Sequence, residues 1–298
     1  MSVNTSNEDV GSSPGNIRRE YREHQIGRLA AAHRPNYDCV IGNIVTAAGW
    51  LGVSLNTPLA SILSLEPKPT PVWNLEASSL RQLEVACAIP CLDIEEWNAK
   101  VLPPPGRAAV LIGDGNEMPW SPYFGNESLE HSFLVVNYEG EHLAFDSYQA
   151  DTDWGVARPI VIEHGDWAGV PVARTLELSC FSGPETYIPA RRAYVSDDSL
   201  LKAYKQAVVT ETQPLSQLAI DTWLISRARQ VNMNAVNLSE NGLRIELARS
   251  QEAWASAAES VYMALRRVRR GRPASDSYKE IVMTAVACDV AVAELWEE

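Results

Sequence analysis

The chain has 298 residues, 46% hydrophobic and 21% charged, with a formal net charge of −13. That is ample length for one large core or two modest ones, in an ordinary globular composition. The acidic balance argues against a general nucleic-acid binder, and no apolar run approaches the ~20 residues of a transmembrane helix.

The first residues, MSVNTSNEDVGSSPGN, are polar and lack the apolar core of a secretory signal, so residues 1–16 read as a disordered tail. Residues 17–33 read as a charged, partly amphipathic helix. Pro35 stops it, and Cys39 opens a second, apolar helix that runs to about Trp50 and ends at Gly49 and Gly52. Asp38 or Asn36 supplies its cap. Asn56–Trp73, rich in Pro and Ser, makes a loop or lid; Ser78–Ala86 and Glu95–Lys100 read as short helices. After Pro103-Pro104-Pro105-Gly106, Arg107–Ile112 is a buried strand leading into Gly113-Asp114.

A hairpin follows. HSFLVVNY, from His131 to Tyr138, is a buried strand; Glu139-Gly140 is a two-residue turn; Glu141 to Tyr148 runs back. That turn sets His131 opposite Tyr148, with Asp146 on the same face and diagonal to His131, at roughly 7–8 Å between Cα atoms. Pro159–Glu163 and Val172–Leu178 are further strands. From about Ser196 helical patterns take over: Ser199–Val209, Pro214–Asn232, Asn241–Arg270 with a break near Gly242, and Ser275–Glu298. The expected class is α+β, with a mixed unit over residues 17–195 and an all-helical unit over 196–298.

Cys39, His131 and Asp146 carry the chemistry. A thiol at a helix N-terminus meets the positive end of the helix dipole, which favours the thiolate. An imidazole can serve as its base, and a carboxylate can orient the imidazole. Asn36 and the Cys39 backbone N–H are candidate donors to an oxyanion. Asp114, at the end of a buried strand, is read either as a binding residue for a cationic acceptor or as a turn cap. Trp120 and Tyr123 are read either as pocket lining or as loop packing. Arg266, Arg267, Arg269, Arg270 and Arg272 form a basic run in an acidic chain, either complementing a helix C-terminus or docking an acidic partner. Five scattered cysteines suggest reduced thiols and a cytoplasmic protein. Cys87 and Cys91 lack a second pair, so no metal is expected, and Gly113-Asp114-Gly115 is not a phosphate loop.

Three segments resemble the butirosin biosynthesis protein H family, whose front part is similar to C39-type and papain-like cysteine peptidases. They are Asp38-Cys39-Val40-Ile41-Gly42-Asn43-Ile44, then Val110 to Asp114 with Met118-Pro119-Trp120, and then His131 to Tyr138 with Phe145-Asp146-Ser147. A helical C-terminal part with Trp254 also fits. The resemblance implies a papain-like fold and an acyltransferase of specialised metabolism. Its donor would be an acyl carrier protein, whose phosphopantetheine arrives with the substrate so that no cofactor is resident, and its acceptor a small amine or hydroxyl compound. The same residues serve a cysteine peptidase, amidase or thioesterase, and a binding protein without chemistry can share the fold. No nucleic acid or membrane partner is expected.

Overall fold

The computed structural model describes residues 14–33, 37–53, 92–152, 154–180, 215–235 and 241–297. Over these residues the chain is mixed α+β, built on a six-stranded antiparallel sheet. Its front elements are α1 (Pro14–Ala32), α2 (Cys39–Leu51), β1 (Leu92–Trp97), β2 (Ala108–Asp114), β3 (Glu130–Tyr138) and β4 (Glu141–Asp146). Then come β5 (Ala150–Thr152), β6 (Gly155–Ala157), β7 (Ile160–Ile162), α3 (His164–Trp167) and β8 (Arg174–Cys180). The sheet order is β1-β8-β2-β3-β4-β7, and β5 and β6 pair separately.

Both faces of the sheet are covered, so Ala108–Ile112 of β2 and Phe133–Val136 of β3 are apolar on both sides. On one face α1 and α2 pack over Val110, Ile112, Leu134, Val136 and Phe145. On the other, Leu111, Phe133, Val135 and Ala144 meet Met118 and Trp167. Helix α2 is set by local chemistry at each end. Asp38 Oδ1 accepts the N–H groups of Val40 at 2.9 Å and Ile41 at 2.8 Å. Gly52 closes the helix in the left-handed region at φ 87°. Gly49 lies inside α2 and does not end it. A Cβ there would come within 2.7 Å of the Ala32 side chain, so the glycine lets α1 approach.

Residues 95–100, expected as a helix, are corrected by the structure. Leu92–Trp97 is an edge strand paired along its whole length with β8. Ile94 turns to the core while Glu95 and Glu96 stay exposed at the rim, so pairing overrides the helical preference of the glutamates. The short β5, β6 and α3 were not foreseen. The loop at 56–73 and the helices at 78–86 and 199–209 lie outside the described residues, as do residues 1–13 of the expected tail, whereas its last three, Pro14 to Asn16, begin α1.

The rear contains α4 (Leu215–Ala235), α5 (Asn241–Arg269) and α6 (Ser277–Glu297). They enclose their own core around Trp254, with Leu218, Ile225, Val261, Val282 and Val286. The expected break near Gly242 is absent, because α5 begins at Asn241 and the glycine sits in its first turn. Among the described residues no helix is long and apolar enough to cross a membrane.

Candidate active site

The hairpin delivers the site. Glu139 at φ 51° and Gly140 at φ 91° both take the left-handed conformation of a type I′ turn, which matches the twist of the strands it joins. The turn fixes the register Tyr138↔Glu141 to Leu134↔Phe145. His131 and Asp146 therefore fall on one face, and His131 Nε2 donates to Asp146 Oδ2 at 2.8 Å. Both are buried, at 1% and 4% exposure.

Asp146 is held from three sides. Besides His131, the Trp120 indole N–H donates to Oδ2 at 3.0 Å, and the Tyr148 backbone N–H to Oδ1 at 2.9 Å. A carboxylate so fixed holds the imidazole in one tautomer and one orientation. With Nε2 on Asp146, Nδ1 is the nitrogen left for Cys39, whose side chain lies close enough to act on the charge of His131. Burial acts most strongly on His131 and opposes its charge. The Asp146 carboxylate and Cys39 outweigh it, and the imidazolium is pushed up to about 10. This arrangement favours a thiolate–imidazolium pair at the N-terminus of α2.

Close approaches make the site compact. A Cβ on Gly42, one turn into α2, would come within 2.9 Å of Ser147 Oγ, beside Asp146. A Cβ on Gly115 would come within 3.2 Å of the His131 Cβ. Asn43 ties the three elements together. Its amide donates to the Ser132 carbonyl at 3.0 Å and to Ser132 Oγ at 3.1 Å, and its carbonyl accepts the Ser147 N–H at 3.1 Å. Ser132 follows His131, Ser147 follows Asp146, and Asn43 lies four residues after Cys39. A lone amide within the apolar run of α2 was the sequence signal for it.

A cavity of about 550 Å³ opens over the thiol, lined by Cys39 and His131 among others. Tyr123 and Tyr148 wall one side, with ring centroids 6.2 and 5.2 Å from that of His131. The rear helices wall another, through Ile220, Trp223, Tyr262 and Leu265. Trp223 packs edge-on to Tyr148 at 6.1 Å. Arg227 lies over the Trp223 ring and donates to the Gln149 carbonyl at 3.0 Å. Asp38 also lines the cavity. Burial pushes its carboxyl up, against the Ile41 and Val40 N–H groups and the Arg227 guanidinium.

The remaining expected site residues separate. Tyr123 lines the cavity. Trp120 does not; its indole is committed to Asp146 and its ring to Phe133 at 5.1 Å. Asp114 does not line it either. It caps the turn at Gly115–Glu117 and accepts from Asn116 N, Leu129 N and Ser128 Oγ, which together hold its carboxyl below the usual range. Its role is thus the cap, because these three donors belong to its own loop region. Asn36 lies outside the described residues. Arg266, Arg267 and Arg269 end α5 and Arg270 follows it, where Gly271 takes φ 70°. Arg269 reaches the cavity rim and pairs with Glu127 at 2.6 Å; Arg266 lies over Tyr262; Arg267 Nε donates to the Pro273 carbonyl at 3.1 Å. Among the described residues no group of three or more His, Cys, Asp or Glu is placed to hold a metal ion. The chain matches no family model and no curated protein.

Proposed function

We propose that the protein is a cysteine-dependent acyltransferase of papain-like type that carries an acyl group from a carrier-protein thioester, through Cys39, to an amine or hydroxyl acceptor. The observation that supports this most is one buried imidazole that is hydrogen-bonded to the Asp146 carboxylate and lines, with Cys39, a 550 Å³ cavity. A nucleophile helix packed on an antiparallel sheet that supplies the base and its carboxylate also suits a papain-like or C39-like fold.

The steps follow from the positions. The Cys39 thiolate attacks the thioester carbonyl, forming a carbon–sulfur bond and an oxyanion. Collapse of that intermediate expels the phosphopantetheine thiolate, which takes the proton from the His131 imidazolium. The acceptor then attacks the Cys39 acyl-enzyme while neutral His131 takes its proton, and a second collapse frees Cys39. Asp146 keeps its hydrogen bond to the ring throughout and steadies each imidazolium. Walls of tyrosine, tryptophan and leucine from two parts of the chain restrict water at the thiol, which favours transfer over hydrolysis.

The test is intact mass after incubation with acyl carrier protein thioesters. An acyl adduct on Cys39 that disappears on addition of an amine or hydroxyl acceptor supports transfer. An adduct that decays to free acid whatever acceptor is present favours a thioesterase. Cleavage of a peptide or simple amide, with no loading from any carrier thioester, favours a peptidase or amidase.

A further inference from the structure

An acyl-enzyme reaction at Cys39 needs a donor for the oxyanion, and the usual first source is the N-terminus of α2. Two of its N–H groups, on Val40 and Ile41, are already taken by the Asp38 carboxylate. Beside the Cys39 backbone N–H, the oxyanion therefore calls for a second donor from beyond the helix.

We propose that the buried tyrosine pair Tyr123–Tyr148 supplies it, one phenolic O–H donating to the carbonyl oxygen as Cys39 attacks. The inference rests on the acyl-transfer reading above. The two hydroxyl oxygens are 3.1 Å apart. The pair holds two hydroxyl hydrogens, and only one can lie between the oxygens. The other has no acceptor among the described residues, although the side chains are 9% and 8% exposed. Both tyrosines line the cavity with Cys39 and His131, and Cys39 packs against the cluster that the two rings form with Ala150 and Ala157.

The chemistry suits a donor and not a base. Burial pushes the Tyr123 hydroxyl up to about 12, and burial, followed by its neighbour Tyr123, raises Tyr148 well above the ordinary phenol value. Both hydroxyls keep their protons at neutral pH. Negative charge on Cys39 contributes to both shifts, so thiol and phenols share one poorly screened space. In the step itself the sulfur–carbon bond forms, the carbonyl π electrons move to oxygen, and the phenol donates a hydrogen bond without giving up its proton. Collapse returns the electrons to the carbonyl and releases the leaving thiolate.

The experiment compares two reactions of the same thiol. Acylation of Cys39 by the N-acetylcysteamine thioester of butyrate passes through an oxyanion; alkylation by iodoacetamide does not. Both rates are read by intact mass in wild type, Tyr123→Phe, Tyr148→Phe and the double variant, with melting midpoints alongside. The double variant is expected to acylate about 10²–10³-fold more slowly, with alkylation unchanged within about twofold, and one single variant should carry most of that loss. Acylation and alkylation falling together would reduce the pair to packing and overturn the proposal. So would acylation at the wild-type rate in all three variants. The single variants keep the comparison readable if the double variant melts early. A wild type that alkylates at Cys39 yet takes no acyl group overturns the acyl-transfer reading and this proposal with it.

Discussion

Asp146 and Asp289 are both buried carboxylates with several donors, yet they sit in regions of opposite character. Asp289 in α6 accepts from Arg229 Nε at 3.0 Å and Nη2 at 2.6 Å, and from Ser250 Oγ. Its partner is a permanent cation, the cluster joins α4, α5 and α6, and neither Asp289 nor Arg229 lines the cavity. Asp146 accepts from an imidazole that can change its charge, and the far side of that imidazole meets a thiol at a cavity. Burial and charge pairing are common to both clusters. A proton that can move, with room for a substrate beside it, belongs to the hairpin cluster alone of the two.

The sharpest way to break this comparison is to remove the thiol. Cys39→Ala is expected to abolish acyl loading while the melting midpoint holds, and Cys39→Ser to keep little activity. Iodoacetamide should label Cys39 ahead of Cys87, Cys91, Cys180 and Cys288. Burial, then the carboxylates of Asp289 and Glu246, push the Cys288 thiol up, which slows it at neutral pH. Full turnover in Cys39→Ala would leave the hairpin cluster as structural as the one at Asp289.

Next in size come the partners of the thiol. His131→Ala should cost more turnover than Asp146→Asn, since the carboxylate acts only through the ring. An equal or larger loss at Asp146 would give it a second task. The imidazolium also sets a pH signature. Its folded value, about 10, lies above the ordinary 6.5, so the stability it contributes is fully present below about pH 6.5 and is lost as pH rises through about 10. The difference in melting midpoint between wild type and His131→Gln should follow that course, largest at low pH and shrinking toward pH 10. Cys39 alkylation in wild type should stay nearly flat between those limits, whereas in His131→Gln it should climb as an ordinary thiol does, around pH 8.5.

The other cluster should respond in stability alone. Asp289→Ala leaves the Arg229 guanidinium buried without its carboxylate, a loss of about 3–5 kcal/mol. Denaturant unfolding reads it, and Cys39 alkylation in the folded protein should not change. A matching loss of thiol reactivity would mean that the helical core transmits to the site, with Trp223 and Arg227 as the route.

How far the sequence foretold the site follows from which contacts are local. The type I′ turn at Glu139-Gly140 fixes register within a few residues, so the pairing of His131 with Asp146 was legible, as was the Asp38 cap on α2. Tyr148 was legible as the residue opposite His131, but its hydroxyl partner Tyr123 reaches it from a separate loop. The Trp120 indole on Asp146 was hidden for the same reason, and the residue was expected in the pocket wall. β1 was misread because its glutamates favour a helix, and only pairing with β8, far along the chain, makes it a strand. The cavity wall from α4 and α5 depends on how the rear helices meet the hairpin, which periodicity does not encode.

The smallest expected effect concerns the rim. If an acidic carrier protein delivers the acyl group, the basic end of α5 is where it would dock, because Arg269 lines the cavity opening. Arg269 is a poor probe, since reversing it would also set two negative charges together at Glu127. Arg270 is better, being exposed and one residue further on. Arg270→Glu should raise the apparent KM for a carrier-bound donor several-fold and leave that for a small thioester unchanged. The effect should fade as salt rises, because exposed charges farther apart than about 8 Å are screened near physiological ionic strength. Stability should shift by less than about 1 kcal/mol, as for other exposed charges. If both donors respond alike, or neither responds, the run serves only to complement the helix dipole at Gly271. The contrast between a carrier-bound and a free thioester thus separates docking from chemistry at one residue that touches neither buried cluster.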